Sequence, residues 1–169
     1  MTSRGTLLAI ASNPPLQTSG RRTLARIEQA QRILGFDSNL LVNLFSFASY
    51  RTGDVAELGS TEDGWHRARP ALQEGINRAD GVLLAYGASA PGGPARQHFH
   101  EQVRWLADEL AVAQKPAWWV GGTARHPSRW QRFTCRAHPG MDFGEALPLA
   151  IQTVPMAVLA GTQSSSGKT

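Results

Sequence analysis

Four short runs, Thr6–Ala11, Leu40–Phe45, Val82–Tyr86 and Ala117–Val120, constrain this chain most. Each is too short for a core helix and almost continuously apolar, which is the pattern of a strand buried on both faces. Between them lie helical periods. Leu24, Ile27, Ala30 and Leu34 recur three or four residues apart, with Arg22, Arg26, Glu28 and Arg32 mostly opposite and Gly35 placed to end the helix. Phe99, Val103, Leu106, Leu110 and Ala113 form a second stripe, stopped by Lys115 and Pro116. A long polar segment from Ser49 to Arg69 precedes Pro70, which predicts the first turn of a helix running through Leu72 and Ile76 to about Arg78. Strands alternating with helices imply parallel pairing with crossovers on both faces. The expected fold is therefore α/β, a three-layer αβα sandwich around a mostly parallel four-stranded sheet.

A chain of 169 residues with 41% hydrophobic content holds one such core. The expected organisation is a single domain over 1–155 with a flexible tail over 156–169. The tail ends in GTQSSSGKT, which resembles a phosphate loop, but five residues separate Gly161 from Gly167 and no helix is expected to follow. The single Cys135 excludes an internal disulfide and a four-cysteine metal centre. Cys135 and His138 have zinc-like spacing without convincing partners, and His98 and His100, two apart on a helix, do not share a face. No metal and no cofactor are expected. The apolar run after Arg4 is too short for a secretory segment, and Gln152 and Pro155 interrupt the C-terminal apolar stretch, so a cytoplasmic monomer without membrane contact is expected.

Of the 17 basic residues only Lys115 and Lys168 are lysine, and the net charge is +4. Arginine binds phosphate bidentately and stacks on bases, so the bias suits a nucleic-acid, nucleoside or nucleotide partner. A GC-rich genome would enrich arginine equally well.

In open parallel sheets ligands sit beyond the carboxyl ends of the strands. Directly after the four runs, or at their ends, come Ser12-Asn13-Pro14-Pro15, then Asn43 with Phe45-Ser46-Phe47, then the glycine-rich loop Gly87 to Pro94, and lastly GGTARHPSRW over 121–130. Such a density of amide, guanidinium, imidazole and ring in turns exceeds what turning requires. The loop from Gly87 could also cradle phosphate on its backbone amides.

These stations carry a resemblance. SNPP, TLARIEQAQRILGF, LLVNLFSF, GVLLAYGASA and TARHPSRW occur in the order found in a bacterial and phage family, domain of unknown function family sixteen-forty-three, over roughly residues 7 to 130. More remotely, the same stations resemble the uracil-DNA glycosylase superfamily. That resemblance implies a nucleobase pocket and hydrolysis of an N-glycosidic bond in DNA or a nucleoside. His126 would donate a hydrogen bond to the departing base, and Pro127 would hold its backbone extended. Asn13 would orient a water without deprotonating it, as an amide must. Asn43 would read the base edge, Phe45 or Phe47 would stack on the ring, and Gly87 and Ser89 would border the ligand. Arg125, Ser128 and Arg129 would contact phosphate, and Trp130 would fill the vacated stack.

Each residue has a second reading. Asn13 before Pro14 shapes a turn, Asn43 ties two loops by backbone hydrogen bonds, Phe45 and Phe47 belong to the core, His126 is a surface loop residue, and Trp130 lids the core. Two functions thus stand: a glycosylase-like hydrolase, and a non-catalytic nucleic-acid or nucleotide binding protein with the same pocket.

Overall fold

The computed structural model describes residues 4–14, 20–48 and 54–161. The four apolar runs form parallel strands, β1 Thr6–Ala11, β2 Ser38–Asn43, β3 Gly81–Leu84 and β4 Ala117–Val120. A fifth strand, β5 Ile151–Thr153, joins β4 antiparallel, with Trp118 opposite Thr153 and Trp119 opposite Gln152. The sheet order is β2-β1-β3-β4-β5. The expected four-stranded, mostly parallel sheet is therefore a five-stranded mixed one. The missed strand has three residues, of which only Ile151 is apolar, and Pro155 ends any extension.

Period-two alternation along the central strands builds two cores. Leu8 and Ile10 of β1 with Val82 and Leu84 of β3 face α3 Asp63–Arg78 and α4 Ala95–Ala113. Leu7 and Ala9 with Leu83 and Ala85 face the opposite side, where α1 Arg21–Leu34, α5 Trp130–Ala137 and α6 Phe143–Ala150 supply Ile27, Ala30, Trp130, Leu147 and Ala150. α1 ends as its sequence requires. Gly35 adopts φ 81°, and its N–H and that of Phe36 bond the carbonyls of Arg32 and Gln31.

Three expectations shift. α3 begins at Asp63, and Pro70 lies inside it rather than in its first turn. The segment read as polar also holds a short helix, α2 Asp54–Leu58. Its apolar anchors Val55, Trp65 and Ala68 are buried but too widely spaced to reveal a period. Residues 156–161, expected to begin the tail, form α7 Met156–Gly161 with Leu159 buried, and GTQSSSGKT past Gly161 lies outside the described residues, as does Pro15.

One polar side chain organises the floor beneath the strand ends. Gln102 of α4 is fully buried, its Nε2 donates to the carbonyls of Leu44 (3.0 Å) and Trp65 (2.7 Å), and its Oε1 accepts from Arg69 Nε (2.9 Å). Gln102→Leu keeps the volume but strands two buried carbonyls and a guanidinium. We expect it to cost about 2–4 kcal/mol, measured by urea denaturation, whereas Gln102→Glu, which retains an oxygen for Arg69 only, should be no milder.

Candidate functional site

The carboxyl ends of β1, β3 and β4 and the loop after β2 open onto a single cleft of about 690 Å³. Its floor is apolar. Leu44 and Phe45 turn inward after β2, and Phe45 packs on Trp65 with ring centroids 4.6 Å apart. Tyr86, at the end of β3, stands edge-on to Phe99 at 6.2 Å. Burial pushes the Tyr86 hydroxyl up to about 12, so at neutral pH it is an uncharged donor and acceptor on the cleft wall.

The stretch 121–130 forms the opposite wall. Gly121 has φ 71°, and a Cβ there would meet the Phe133 ring at 2.5 Å, so only glycine lets the chain leave β4 this way. The Ala124 carbonyl accepts from Gly87 N–H (2.7 Å), which joins the loops after β3 and β4. Arg125 Nε donates to the Val120 carbonyl (3.3 Å), and its guanidinium lies over Phe133, 4.3 Å from the centroid. The Arg125 carbonyl in turn accepts from Trp130 Nε1 (2.9 Å). Trp130 is fully buried in the core beneath α1. It cannot fill a vacated base stack; it anchors the wall.

His126 is extended at φ −65°, ψ 142°, as the following Pro127 demands, and precedes a single 3-10 turn, Pro127–Arg129. Its Nδ1 accepts the Ser128 backbone N–H (3.1 Å) and contacts Ser128 Oγ (2.8 Å). A nitrogen that accepts an N–H carries no proton, so the neutral ring holds its hydrogen on Nε2. Burial, then the Arg129 charge, pulls the His126 pKa below its usual value, which keeps the ring neutral at physiological pH.

This perturbation makes a prediction. Arg129→Gln should raise the His126 pKa, followed by NMR titration of the imidazole; an unchanged or lower value would remove Arg129 from the account. Stability follows the same sign. Because the folded-state pKa lies below the unfolded value of about 6.5, the unfolded chain takes up the proton first, and stability falls as pH drops through that value until the folded ring titrates too.

Of the ten residues expected at the site, eight line the cleft: Asn13, Phe45, Gly87, Ser89, Arg125, His126, Ser128 and Arg129. Asn43 and Phe47 do not. Asn43 is the last residue of β2, in register with Ala11, and the chain then turns so that Leu44 and Phe45 meet the cleft instead. Phe47 packs edge-on against Phe45 at 5.5 Å, with the Arg67 guanidinium 5.6 Å from its centroid. Asn13 does the tying that Asn43 was a candidate for. Its Nδ2 donates to the Phe47 carbonyl (3.4 Å) and its Oδ1 accepts from Ser12 Oγ (3.1 Å). Phe45, 1% exposed, is floor rather than a free stacking face.

Four arginines border the cleft, Arg125, Arg129, Arg132 and Arg136, and no carboxylate among the described residues does. None of the four takes part in a salt bridge among the described residues. The arrangement favours a ligand with a flat apolar part and an anionic part. No group of three or more metal-ligating side chains occurs among the described residues, and no helix among them is long and apolar enough to cross a membrane.

A family described as Protein of unknown function (DUF1643) matches residues 2–128. No curated protein and no solved structure matches.

Proposed function

We propose that this chain, which belongs to the DUF1643 family by a match over residues 2–128, holds a nucleobase in the cleft and hydrolyses its N-glycosidic bond, as a protein of uracil-DNA-glycosylase-like fold would. The observation that carries the reading is the state of His126: a neutral ring whose Nε2–H is set by the Ser128 amide on the other nitrogen, at a cleft edged by guanidiniums. In a dissociative cleavage the sugar approaches an oxocarbenium ion while negative charge builds on the base. A fixed neutral donor stabilises that charge as it develops, because it makes a stronger hydrogen bond to the transition state than to the substrate. The base lies on the floor of Leu44, Phe45 and Trp65, and the Tyr86 hydroxyl and the 87–92 loop meet its polar edge in place of Asn43. Asn13, whose side-chain amide borders the cleft beside Ser12, orients the water.

The test is release of free base by the purified protein from a panel of damaged and deaminated oligonucleotides and of nucleosides, followed chromatographically. One substrate giving base in a His126-dependent manner supports the reading, and no product from the whole panel removes the hydrolase. A second reading, binding without chemistry, has its own supporting observation: among the described residues no carboxylate lines the cleft, and the His126 Nδ1 lone pair is engaged by the Ser128 amide, so the cleft offers no carboxylate base to take a proton from water. It requires base-dependent binding with no product.

A further inference from the structure

Beyond the loops that follow the four parallel strands, α5 carries a feature that the nucleobase pocket alone does not need. Arg129, at its N-cap, and Arg132 and Arg136 within it are spaced three and four residues apart, so they share one helical face. At a rise of about 1.5 Å per residue the row extends about 10 Å from the turn that carries His126. All three are exposed and all three border the cleft. The other face of α5 is fixed to the core by Trp130 and Thr134, both buried, so the helix is a rigid mount for the row. Like charges at these spacings repel. Among the described residues no carboxylate pairs with them, so the repulsion is not relieved within the described part of the protein.

We infer that Arg129, Arg132 and Arg136 form a track for the phosphodiester backbone of a single-stranded nucleic acid, so that the ligand of the cleft is a nucleotide within a strand rather than a free nucleoside. The inference rests on the nucleobase reading of the cleft. A row of about 10 Å is long enough to meet more than one phosphate of a strand, since even along a stacked duplex successive phosphates of one strand rise only about 3.4 Å. A free nucleoside would leave the row unused. A strand is also what an unstacked base in a pocket implies, because the backbone must continue past the pocket on either side. Guanidinium suits the role better than ammonium, since it grips two phosphate oxygens at once.

The test is binding of a labelled single-stranded oligonucleotide by fluorescence anisotropy across a salt series, for the wild-type chain, R132Q, R136Q and R132Q/R136Q. These side chains are exposed, so the variants retain the core. The slope of log K against log salt should become shallower by about 0.7 for each arginine removed, and the double variant should bind more than tenfold more weakly at low salt. A nucleoside triphosphate should compete poorly against the oligonucleotide. An unchanged slope in the double variant, or a triphosphate that competes as well as the strand, overturns the track. His126→Ala separates the two claims. If the arginine-dependent slope is present but neither base identity nor His126 alters binding, the track stands and the nucleobase reading falls. If a free nucleoside binds through His126 while the arginines are silent, the reading stands and the track falls.

Discussion

His126→Ala is expected to lower the rate of base release by about two to three orders of magnitude while changing substrate binding far less. The two effects separate because the Nε2–H bond strengthens as charge moves onto the leaving base, so most of its contribution belongs to the transition state. The ring has a second job: its Nδ1 caps the turn Pro127–Arg129 through the Ser128 amide. His126→Asn divides the two. Asparagine can accept the Ser128 N–H from its own short side chain but has no donor where Nε2 stood. It should restore the stability lost in the alanine variant without restoring rate. Recovery of rate in His126→Asn would mean that the imidazole only shapes the loop.

Trp130→Ala is expected to be the most destabilising single change, at about 3–5 kcal/mol. Trp130 is fully buried between the sheet and α1, and its Nε1 holds the Arg125 carbonyl. Truncation both opens a cavity and frees the wall that carries Arg125 and His126. For a chain of this length each kcal/mol lowers Tm by about 2–4 °C, so a fall of roughly 6–20 °C should appear by calorimetry. Trp130→Phe keeps most of the packing and removes only the hydrogen bond. A loss near 1 kcal/mol is expected there, together with weaker ligand binding, because the Arg125–His126 segment is then positioned less firmly. A Trp130→Ala chain with unaltered Tm would contradict the assignment of this ring to the core.

Local pattern was enough wherever burial was two-sided or periodic. β1 and β4 occupy the residues their apolar runs mark, and Gly35 ends α1 in the left-handed conformation its position implies. Pattern failed where tertiary contacts carry the element. β5 exists because β4 offers it an edge, not because Ile151–Thr153 is strand-like. The first half of α3 is held by Trp65 on Phe45 and by Gln102 from α4, contacts between residues far apart in the chain. Much of the cleft was legible for a topological reason: four parallel strands put their carboxyl ends on one side, whatever the helices do. Asn43 and Phe47 show the limit of that reasoning. A strand end gives the neighbourhood of a side chain, but a one-residue difference in where β2 stops decides whether Asn43 or Leu44 reaches the cleft.

Arg132 and Arg136 were missed because α5 was not expected. Its buried positions are Trp130 and Thr134, and a threonine contributes little to an apolar period. The three- and four-residue spacing of Arg129, Arg132 and Arg136 was visible in the sequence but has meaning only once those residues are known to be helical. Tyr86 was assigned to a strand and is instead the second residue past β3, where its ring packs on Phe99 and the residue borders the cleft.

The central claim is that the cleft takes a nucleobase and presents it to the His126 donor. A crystal of the protein soaked with free nucleobases tests this most directly. The account predicts planar density above Phe45 and beside Tyr86, with a base oxygen or nitrogen within hydrogen-bond distance of His126 Nε2. A base bound elsewhere, or a cleft that stays free of base at saturating concentration, would contradict it.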